Sequence, residues 1–161
     1  MRAGVVSDIH GSYQHLLRAL AAMGDIDLLL HAGDGCREIA RWRAEHRPAR
    51  TQVVMVAGNC DLYPNCPPEA AFEIEGRPVL LTHGHLYGVK TGLTRLIVRA
   101  RQAGTTIAIF GHTHVALQAE HFGVTLFNPG SLSGARSTGG PSYGLIEAKD
   151  GGLRIGIHYL S

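Results

Sequence analysis

Short apolar runs that stop abruptly at glycine or a polar residue shape the first part of the chain. Three of these runs predict buried strands, and the segments after the first two have the apolar spacing of helices. We expect the first helix to begin after its N-cap Ser12 and to end near Gly24, and the second to cover about 37–46. The predicted strands lie within residues 3–7, 26–34 and 51–61. This alternation predicts parallel strands that are joined by helical crossovers.

The second part of the chain alternates between apolar and polar positions, which is typical of antiparallel strands. It predicts hairpins that turn at Gly76, near Phe122 and at Asp150, together with a strand at 105–114 and a helix at 91–103. A mixed α/β fold accommodates both parts if two β-sheets form a sandwich with helices on its outer faces. We expect all 161 residues to form one domain.

The composition indicates a folded protein and limits the classes of partner that it is expected to bind. Hydrophobic residues make up 45% of the chain and charged residues 17%, the balance of a globular protein rather than a disordered one. A net charge of +2 without a run of Lys or Arg does not indicate nucleic-acid binding. No apolar stretch suits a membrane span or a signal peptide, so we predict a cytoplasmic protein without a membrane partner. Cys36, Cys60 and Cys66 fit no disulfide framework, in agreement with a reducing compartment.

Polar clusters that contain glycine follow five of the predicted strands. They are SDIHG (7–11), AGDG (32–35), AGNCD (57–61), THGH (82–85) and FGHTH (110–114). Ligands bind at the carboxyl ends of strands in α/β sheets, so we expect these five ends to converge on one pocket. The clusters supply nine candidate functional residues: Asp8, His10, Asp34, Asn59, Asp61, His83, His85, His112 and His114.

The chemistry of this set favours a metal centre. Imidazole and carboxylate groups together suit Mn²⁺, Fe or Zn²⁺, and two ions about 3.5–4 Å apart need a shared carboxylate and several ligands each. Taken singly, Asp34 fits a helix cap or turn and Asn59 fits a turn, so the metal hypothesis depends on the whole set. In an extended chain His112 and His114, which are two residues apart, would face one target.

The order D-x-H, GD, GN-x-D, HGH and GHTH, with NPGS after it, resembles the calcineurin-like metallophosphoesterase superfamily, in particular its small bacterial and archaeal phosphodiesterases. The resemblance spans Ser7 to Ser131 and implies a four-layer αββα fold. It also implies a metal-dependent phosphodiesterase in which a hydroxide between two divalent ions attacks phosphorus. The implied ligands are Asp8, His10 and His114 for the first ion, Asn59, His83 and His112 for the second, and Asp34 as the bridge.

The resemblance implies further properties that the residues alone do not. Mn²⁺ is the expected metal, with Ni, Fe, Zn and Co as alternatives, and the substrate is expected to be a phosphodiester. A homo-oligomer, either a dimer or a tetramer, is compatible with this branch. Two other functions stay open: a phosphomonoesterase, and a protein-interaction scaffold on the same fold.

The chain departs from the larger members of the superfamily at Cys60, where they carry a histidine thought to protonate the leaving group. Because a thiol is a weak hydrogen-bond donor, His85 is a candidate for that role and, with Asn59, for substrate binding, although a structural role is the alternative. Asp61, the other catalytic candidate, either orients a ligating histidine or braces its own turn. Ser131 and Arg136 either contact a phosphate or belong to an ordinary Pro-Gly turn.

Overall fold

The computed structural model describes residues 1–62, 65–134, 137 and 139–161. Its elements follow the predicted order along the chain. They are β1 (Arg2–Val6), α1 (Tyr13–Met23), β2 (Leu28–His31), α2 (Cys36–His46), β3 (Gln52–Met55), β4 (Glu69–Ile74), β5 (Arg77–Thr82), a 3₁₀ helix (His85–Tyr87), α3 (Thr94–Gln102), β6 (Ile107–Ile109), β7 (Leu117–His121), β8 (Val124–Asn128), β9 (Ser142–Lys149) and β10 (Gly152–Tyr159).

The strands form two five-stranded sheets. The first has the order β10-β9-β1-β2-β3 and the second the order β4-β5-β6-β8-β7. In the first sheet β1, β2 and β3 are parallel, and in the second β5, β6 and β8 are parallel. The hairpins β4–β5, β7–β8 and β9–β10 supply antiparallel pairs. The predicted mixture of parallel strands and hairpins is therefore confirmed.

Three apolar clusters hold four layers together. Val5 and Leu30 of the first sheet pack with Leu81 and Ile109 of the second to fill the space between the sheets. Leu29, which neighbours Leu30, points the other way and packs in the cluster that includes side chains of α1 and α2. Helix α3 covers the outer face of the second sheet in the same way. This arrangement is the predicted α/β/β/α sandwich.

Helix α1 has the predicted limits, but the helices depart from the prediction in three other respects. Ser12 occupies the N-cap position of α1, but its side chain makes no capping hydrogen bond. Helix α3 begins only at Thr94, and Thr91 lies instead in a turn in which its N–H donates to Gly88 O at 2.9 Å. The 3₁₀ helix after His83 was not predicted. None of the helices in the described ranges has the length and hydropathy needed to cross a membrane.

Candidate metal centre

The five polar clusters meet at one end of the sandwich. Each follows the carboxyl end of one of the parallel strands β1, β2, β3, β5 and β6. Backbone hydrogen bonds tie the loops together, from Asp8 N to Gly33 O at 2.9 Å and from Gly111 N to His83 O at 3.1 Å. The predicted convergence of these strand ends is confirmed.

One group of side chains contains the residues predicted for the first ion. His114 Nε2 lies 3.1 Å from Asp8 Oδ1 and 3.3 Å from His10 Nε2. His10 Nε2 is in turn 3.6 Å from Asp8 Oδ1. Asp8 and His114 are buried, whereas His10 is exposed, so the group opens to solvent on the side of His10.

A second group contains the residues predicted for the second ion. His83 Nε2 is 3.1 Å from Asn59 Oδ1 and 3.2 Å from His112 Nδ1. His83 Nδ1 lies 2.7 Å from the carbonyl oxygen of Ala32, to which it donates in the neutral ring. That hydrogen bond leaves the lone pair of Nε2 facing the group, the arrangement usual for a metal-ligating histidine.

Asp34 lies between the two groups. Its Oδ2 is 3.6 Å from His10 Nε2 and 3.3 Å from His83 Nε2, so one oxygen faces ligands of both predicted ions. Its Oδ1 accepts a hydrogen bond from the backbone N–H of Cys60 at 2.8 Å, which fixes the orientation of the carboxylate. Asp34 therefore occupies the place expected of a bridging ligand.

The carboxylate of Asp8 shows that a cation fits this site. Its Oδ2 accepts hydrogen bonds from Ser7 Oγ at 2.7 Å and from His112 N at 2.9 Å. Its Oδ1 is buried and accepts no hydrogen bond from the described residues. Ligands about 2.1 Å from an ion lie roughly 3.0–3.4 Å from one another, close to the separations within both groups. The residues present thus fit a metal-binding site.

The backbone at the site is unusual. In the described part of the chain nine residues other than glycine have positive φ, and five of them are predicted ligands: Asp8, His10, Asp34, His112 and His114. Such conformations cost free energy and cluster at functional sites. Strand β6 ends at Ile109, and His112 and His114 have φ of 67° and 61°. The expectation that they share a target through strand alternation is wrong, because a left-handed loop directs each one to a different group.

Two glycines allow the loops to approach each other closely. A Cβ on Gly58 would lie 2.0 Å from Asp34 Oδ1, and a Cβ on Gly111 would lie 1.9 Å from Ser7 Oγ and 2.7 Å from Asp8 Oδ2. Any side chain at either position would displace a carboxylate that faces the centre. The glycines in these clusters therefore serve packing as well as turn formation.

The electrostatic environment keeps both carboxylates ionised. Burial favours the neutral acid, but close contacts with His10 and His114 and the charge of His83 hold the pKa of Asp8 below its usual range. Burial opposes ionisation of Asp34 too, yet its contacts with His83 and the Cys60 N–H lower its pKa to about 2. Both groups are anionic at neutral pH, as metal ligands must be.

The pKa values of two histidines of the second group are shifted in opposite directions. Burial, the charge of His83 and the charge of Lys90 lower the pKa of His112 to about 4, so its ring is neutral at pH 7. Burial acts on His83 in the same direction, but contact with Asp34 and the charges of Asp8 and Asp34 raise its pKa. A divalent cation would take the place of the proton that these carboxylates attract to His83.

Asp61 accepts hydrogen bonds from four backbone N–H groups. Its Oδ2 accepts from Asp34 N at 2.7 Å and Gly58 N at 2.9 Å, and its Oδ1 accepts from Gly35 N and Cys36 N at 3.0 Å. The carboxylate thus joins the loop of the predicted bridge, the first residue of α2 and the turn after β3. Of the two predicted roles, this geometry favours the brace.

His85 borders the second group from the start of the 3₁₀ helix. Its ring centroid is 5.3 Å from that of His83 and 6.1 Å from that of His112. Burial and the charge of His83 lower the pKa of His85, so its protonated ring is a stronger acid but is scarcer at pH 7. The position suits contact with a substrate, and its catalytic role stays a prediction.

The segment NPGS (128–131) holds two loops of the site in place through hydrogen bonds. Ser131 is fully buried and donates to the carbonyl oxygen of Asp8 at 2.8 Å, a geometry that favours a structural role over contact with a phosphate. Asn128, which the sequence did not single out, donates to Gly111 O and Thr113 Oγ1 at 3.0 Å each and holds the GHTH loop. Arg136 lies outside the described residues.

A cavity of about 450 Å³ opens beside the first group. Its lining includes His10, Asp34 and Cys60 from the site, and Arg37 and Leu62 farther out. This volume lies in the range of small-molecule sites. His10 and Asp34 of the centre line it, and its walls also present the cation of Arg37, the carboxylate of Glu38 and the exposed apolar side chain of Leu62.

Comparison with known proteins agrees with this geometry. A family model for the calcineurin-like phosphoesterase superfamily domain matches residues 1–151. The chain belongs to this superfamily. The expected family is thereby confirmed, and with it a metal-dependent phosphoesterase fold whose possible metal site is the cluster of aspartates and histidines described above.

Curated members of the calcineurin-like phosphoesterase superfamily cover most of the chain. The probable metallophosphoesterase YsnB of Bacillus subtilis is 32% identical over 151 residues, which are 93% of this chain and 86% of that protein. Phosphodiesterase YfcE of Escherichia coli is 27% identical over 168 aligned positions, covering 91% of this chain and 88% of that protein.

Solved structures share the fold. A predicted phosphoesterase from Streptococcus pneumoniae superimposes with a TM-score of 0.76 at 25% identity, over 97% of this chain and 87% of that one. Vps29 from Entamoeba histolytica, solved as a complex with zinc, gives a TM-score of 0.74 at 24% identity over 98% of both chains. The second likeness concerns the fold alone.

Proposed function

We propose that this protein is a phosphodiesterase that uses two divalent metal ions. The observation that carries the proposal is the position of Asp34 Oδ2, which lies within 3.6 Å of ligand nitrogens from both groups. A single ion would leave one of the two groups of ligands unused. The activity named for the relative YfcE supports a phosphodiester as the substrate class.

The proposed ligands divide between the two ions as the family resemblance implies. Asp8, His10 and His114 hold the first ion, Asn59, His83 and His112 hold the second, and Asp34 bridges them. When bound, such ions lower the pKa of a coordinated water and neutralise the oxygens of a phosphate. Mn²⁺ stays the predicted metal, with Ni, Fe, Zn and Co as alternatives.

The chain's own residues position the substrate in this proposal. The phosphate lies over the floor formed by Asp34, and the organic group extends into the cavity toward Arg37 and Leu62. Asn59 and His85, which both lie beside His83, contact the phosphate or the departing oxygen. Asp61 is a positioning residue, because it acts through the loops that present Asp34.

The test compares hydrolysis of bis(p-nitrophenyl) phosphate by wild type and by Asp34→Asn, each with added Mn²⁺ and after chelation. We expect chelation to abolish the activity and Asp34→Asn to lower it by at least about 100-fold, because the bridge loses its charge. Asp150→Asn, in the exposed turn between β9 and β10, is the matched control. Full activity of Asp34→Asn would contradict the proposal.

The same assay with p-nitrophenyl phosphate separates a diesterase from a monoesterase. Faster turnover of the monoester under the same metal would replace the proposed substrate class with the phosphomonoesterase alternative. The interaction-scaffold alternative predicts no turnover of either substrate. A cytoplasmic location, a single domain over the whole chain and a dimer or tetramer stay predictions.

A further inference from the structure

Strand β10 is a free edge of the first sheet. It pairs with β9 on one side, and in the described part of the chain no strand pairs with its other side. With eight residues it is the longest of the four edge strands, and Arg154 is its only permanently charged residue. Long edge strands with few charges pair readily with another strand, so most proteins shorten them or add charges to them. Strand β10 has neither protection.

The hydrogen-bond pattern shows which backbone groups of β10 face its free edge. Leu160 N donates to Pro141 O at 2.8 Å, so the even-numbered residues before it face β9, because the orientation alternates along a strand. Ser142, the residue opposite Tyr159, directs its N–H away from β10 to Ser131 O. The groups at the free edge therefore belong to the odd-numbered residues Leu153, Ile155, Ile157 and Tyr159. None of their N–H and C=O groups bonds to another residue within the described ranges.

The sequence of β10 is nearly symmetric about Gly156. Pairs of similar residues stand at equal distances on its two sides: Ile155 and Ile157, Arg154 and His158, Leu153 and Tyr159. We propose that β10 pairs with β10 of a second copy of this chain, in an antiparallel ladder whose two-fold axis passes through Gly156. This inference goes beyond the proposed function and does not depend on it.

This register matches backbone groups and side chains together. Ile155 lies opposite Ile157 of the partner subunit, and Leu153 lies opposite Tyr159 of the partner subunit. These are the residues whose backbone groups face the free edge, so each of them donates one hydrogen bond and accepts another. Arg154 lies opposite His158 of the partner subunit, which keeps the two arginines from facing each other.

Apolar side chains of β10 remain available to a partner. Leu153, Ile155 and Ile157 pack against the cluster between the two sheets but are only partly buried. In the proposed dimer the facing strand covers their open side, and apolar pairs across strands stabilise a sheet. The symmetry about Gly156 favours a second copy over an unrelated extended peptide, because self-pairing brings similar residues together.

Cysteine cross-linking tests the register. Residue 156 faces its own copy in a pair without hydrogen bonds, where the Cα atoms are about 4.5 Å apart, a separation that a disulfide spans. A Cβ at this position meets only His158 Nε2, at 3.3 Å, and that ring can move. With copper phenanthroline as the oxidant, Gly156→Cys should give a disulfide-linked dimer on a non-reducing gel.

Two controls accompany the cross-linking. Gly152→Cys makes the same substitution on the same face of β10, but the proposed register separates residue 152 from its own copy, so this variant should stay uncoupled. Wild type shows how far the exposed Cys60 forms disulfides by itself.

Sedimentation equilibrium of the full chain, over about a hundredfold range of concentration, measures the association. Wild type should approach the mass of two chains. Ile155→Pro should raise the dissociation constant at least about 30-fold, because proline removes an N–H that faces the partner and none that faces β9. Gly156→Lys, which leaves the core intact, should raise it about fivefold through like charges across the axis.

Gly92→Lys is the control for the added charge, because a Cβ there has no atom within 4 Å. It should associate as wild type does. Circular dichroism establishes that each variant is folded, and if Ile155→Pro is not, Gly156→Lys decides.

Three results would overturn the inference. The first is a wild type that stays monomeric over the whole range of concentration. The second is a dimer that both folded variants of β10 leave unchanged, since its interface then lies elsewhere. The third is cross-linking of Gly152→Cys as strong as that of Gly156→Cys, or none of Gly156→Cys. Because no hydrolysis is measured, each of these results leaves the proposed function to its own assay.

Discussion

Asp61→Asn tests how the loops of the centre are held together. The substitution preserves the shape of the side chain and removes its charge. In the wild type each carboxylate oxygen accepts two backbone N–H groups: Oδ1 from Gly35 and Cys36, and Oδ2 from Asp34 and Gly58. In asparagine one oxygen becomes an NH₂ group, which faces two N–H donors and can accept from neither.

The expected loss of stability follows from these contacts. A hydrogen bond to a charged acceptor contributes about 1.5–3 kcal/mol, and two such bonds are removed. The side chain is only half-buried and the bonds share one acceptor group, so their energies do not add fully. We therefore expect Asp61→Asn to lower the free energy of unfolding by about 2–4 kcal/mol.

Urea unfolding of the metal-free protein at pH 7, followed by circular dichroism, measures this change. Asp150→Asn is the control, since Asp150 is exposed and its φ of 51° is tolerated by asparagine. The control should unfold within about 0.5 kcal/mol of wild type. If Asp61→Asn keeps wild-type stability but loses hydrolytic activity, Asp61 takes part in the chemistry and the bracing role is wrong.

Two further substitutions test the surroundings of His85. Hydrogen bonds from Arg99 and Tyr87 hold the pKa of Glu69 below its usual range, against the effect of burial. Ionised Glu69 therefore stabilises the fold above about pH 4.5, and this stabilisation is lost as the pH falls through the pKa of Glu69 in the folded protein. Glu69→Gln should therefore cost about 1 kcal/mol at pH 7 and less at pH 3 in urea unfolding. His85→Gln should slow hydrolysis of diesters with alkyl leaving groups more than of p-nitrophenyl esters, because alkoxides need a proton to depart.

Each of these substitutions has a control in the same chain. Glu73→Gln changes an exposed carboxylate of the same strand and should show no such pH dependence. A constant difference between Glu69→Gln and wild type from pH 7 to pH 3 would refute the ion-pair explanation. His121→Gln changes an exposed histidine of β7 and should leave the rates unchanged. Equal slowing of both esters by His85→Gln would make His85 a substrate contact rather than the proton donor.

The sequence predicted the features that depend on residues close to one another along the chain. Apolar runs located the strands, and the polar clusters after them located the predicted ligands, because binding sites of α/β sheets form at the carboxyl ends of their strands. The alternation of Leu28, Leu29 and Leu30 between two apolar clusters follows from strand geometry alone. These features depend on neighbours within a few residues, so a single sequence suffices to predict them.

Contacts between distant segments escaped prediction. The bond between Ser131 and Asp8 joins residues 123 positions apart, and the bonds of Asp61 to the loop of Asp34 span 25 to 27 positions. Nothing in the sequence near Ser131 distinguishes a buried hydroxyl from one that faces a phosphate. The left-handed backbone at His112 was missed for a similar reason, since tertiary contacts such as its N–H bond to Asp8 Oδ2 hold that conformation.

Anomalous scattering tests the central claim most directly. Crystals of the full chain equilibrated with Zn²⁺ should be measured on both sides of the zinc absorption edge. The two-ion centre predicts two peaks about 3.5–4 Å apart, with Asp34 Oδ2 within ligand distance of both. One peak should lie beside Asp8, His10 and His114 and the other beside His83 and its partners. A single peak, or two peaks that do not share Asp34, would contradict the account.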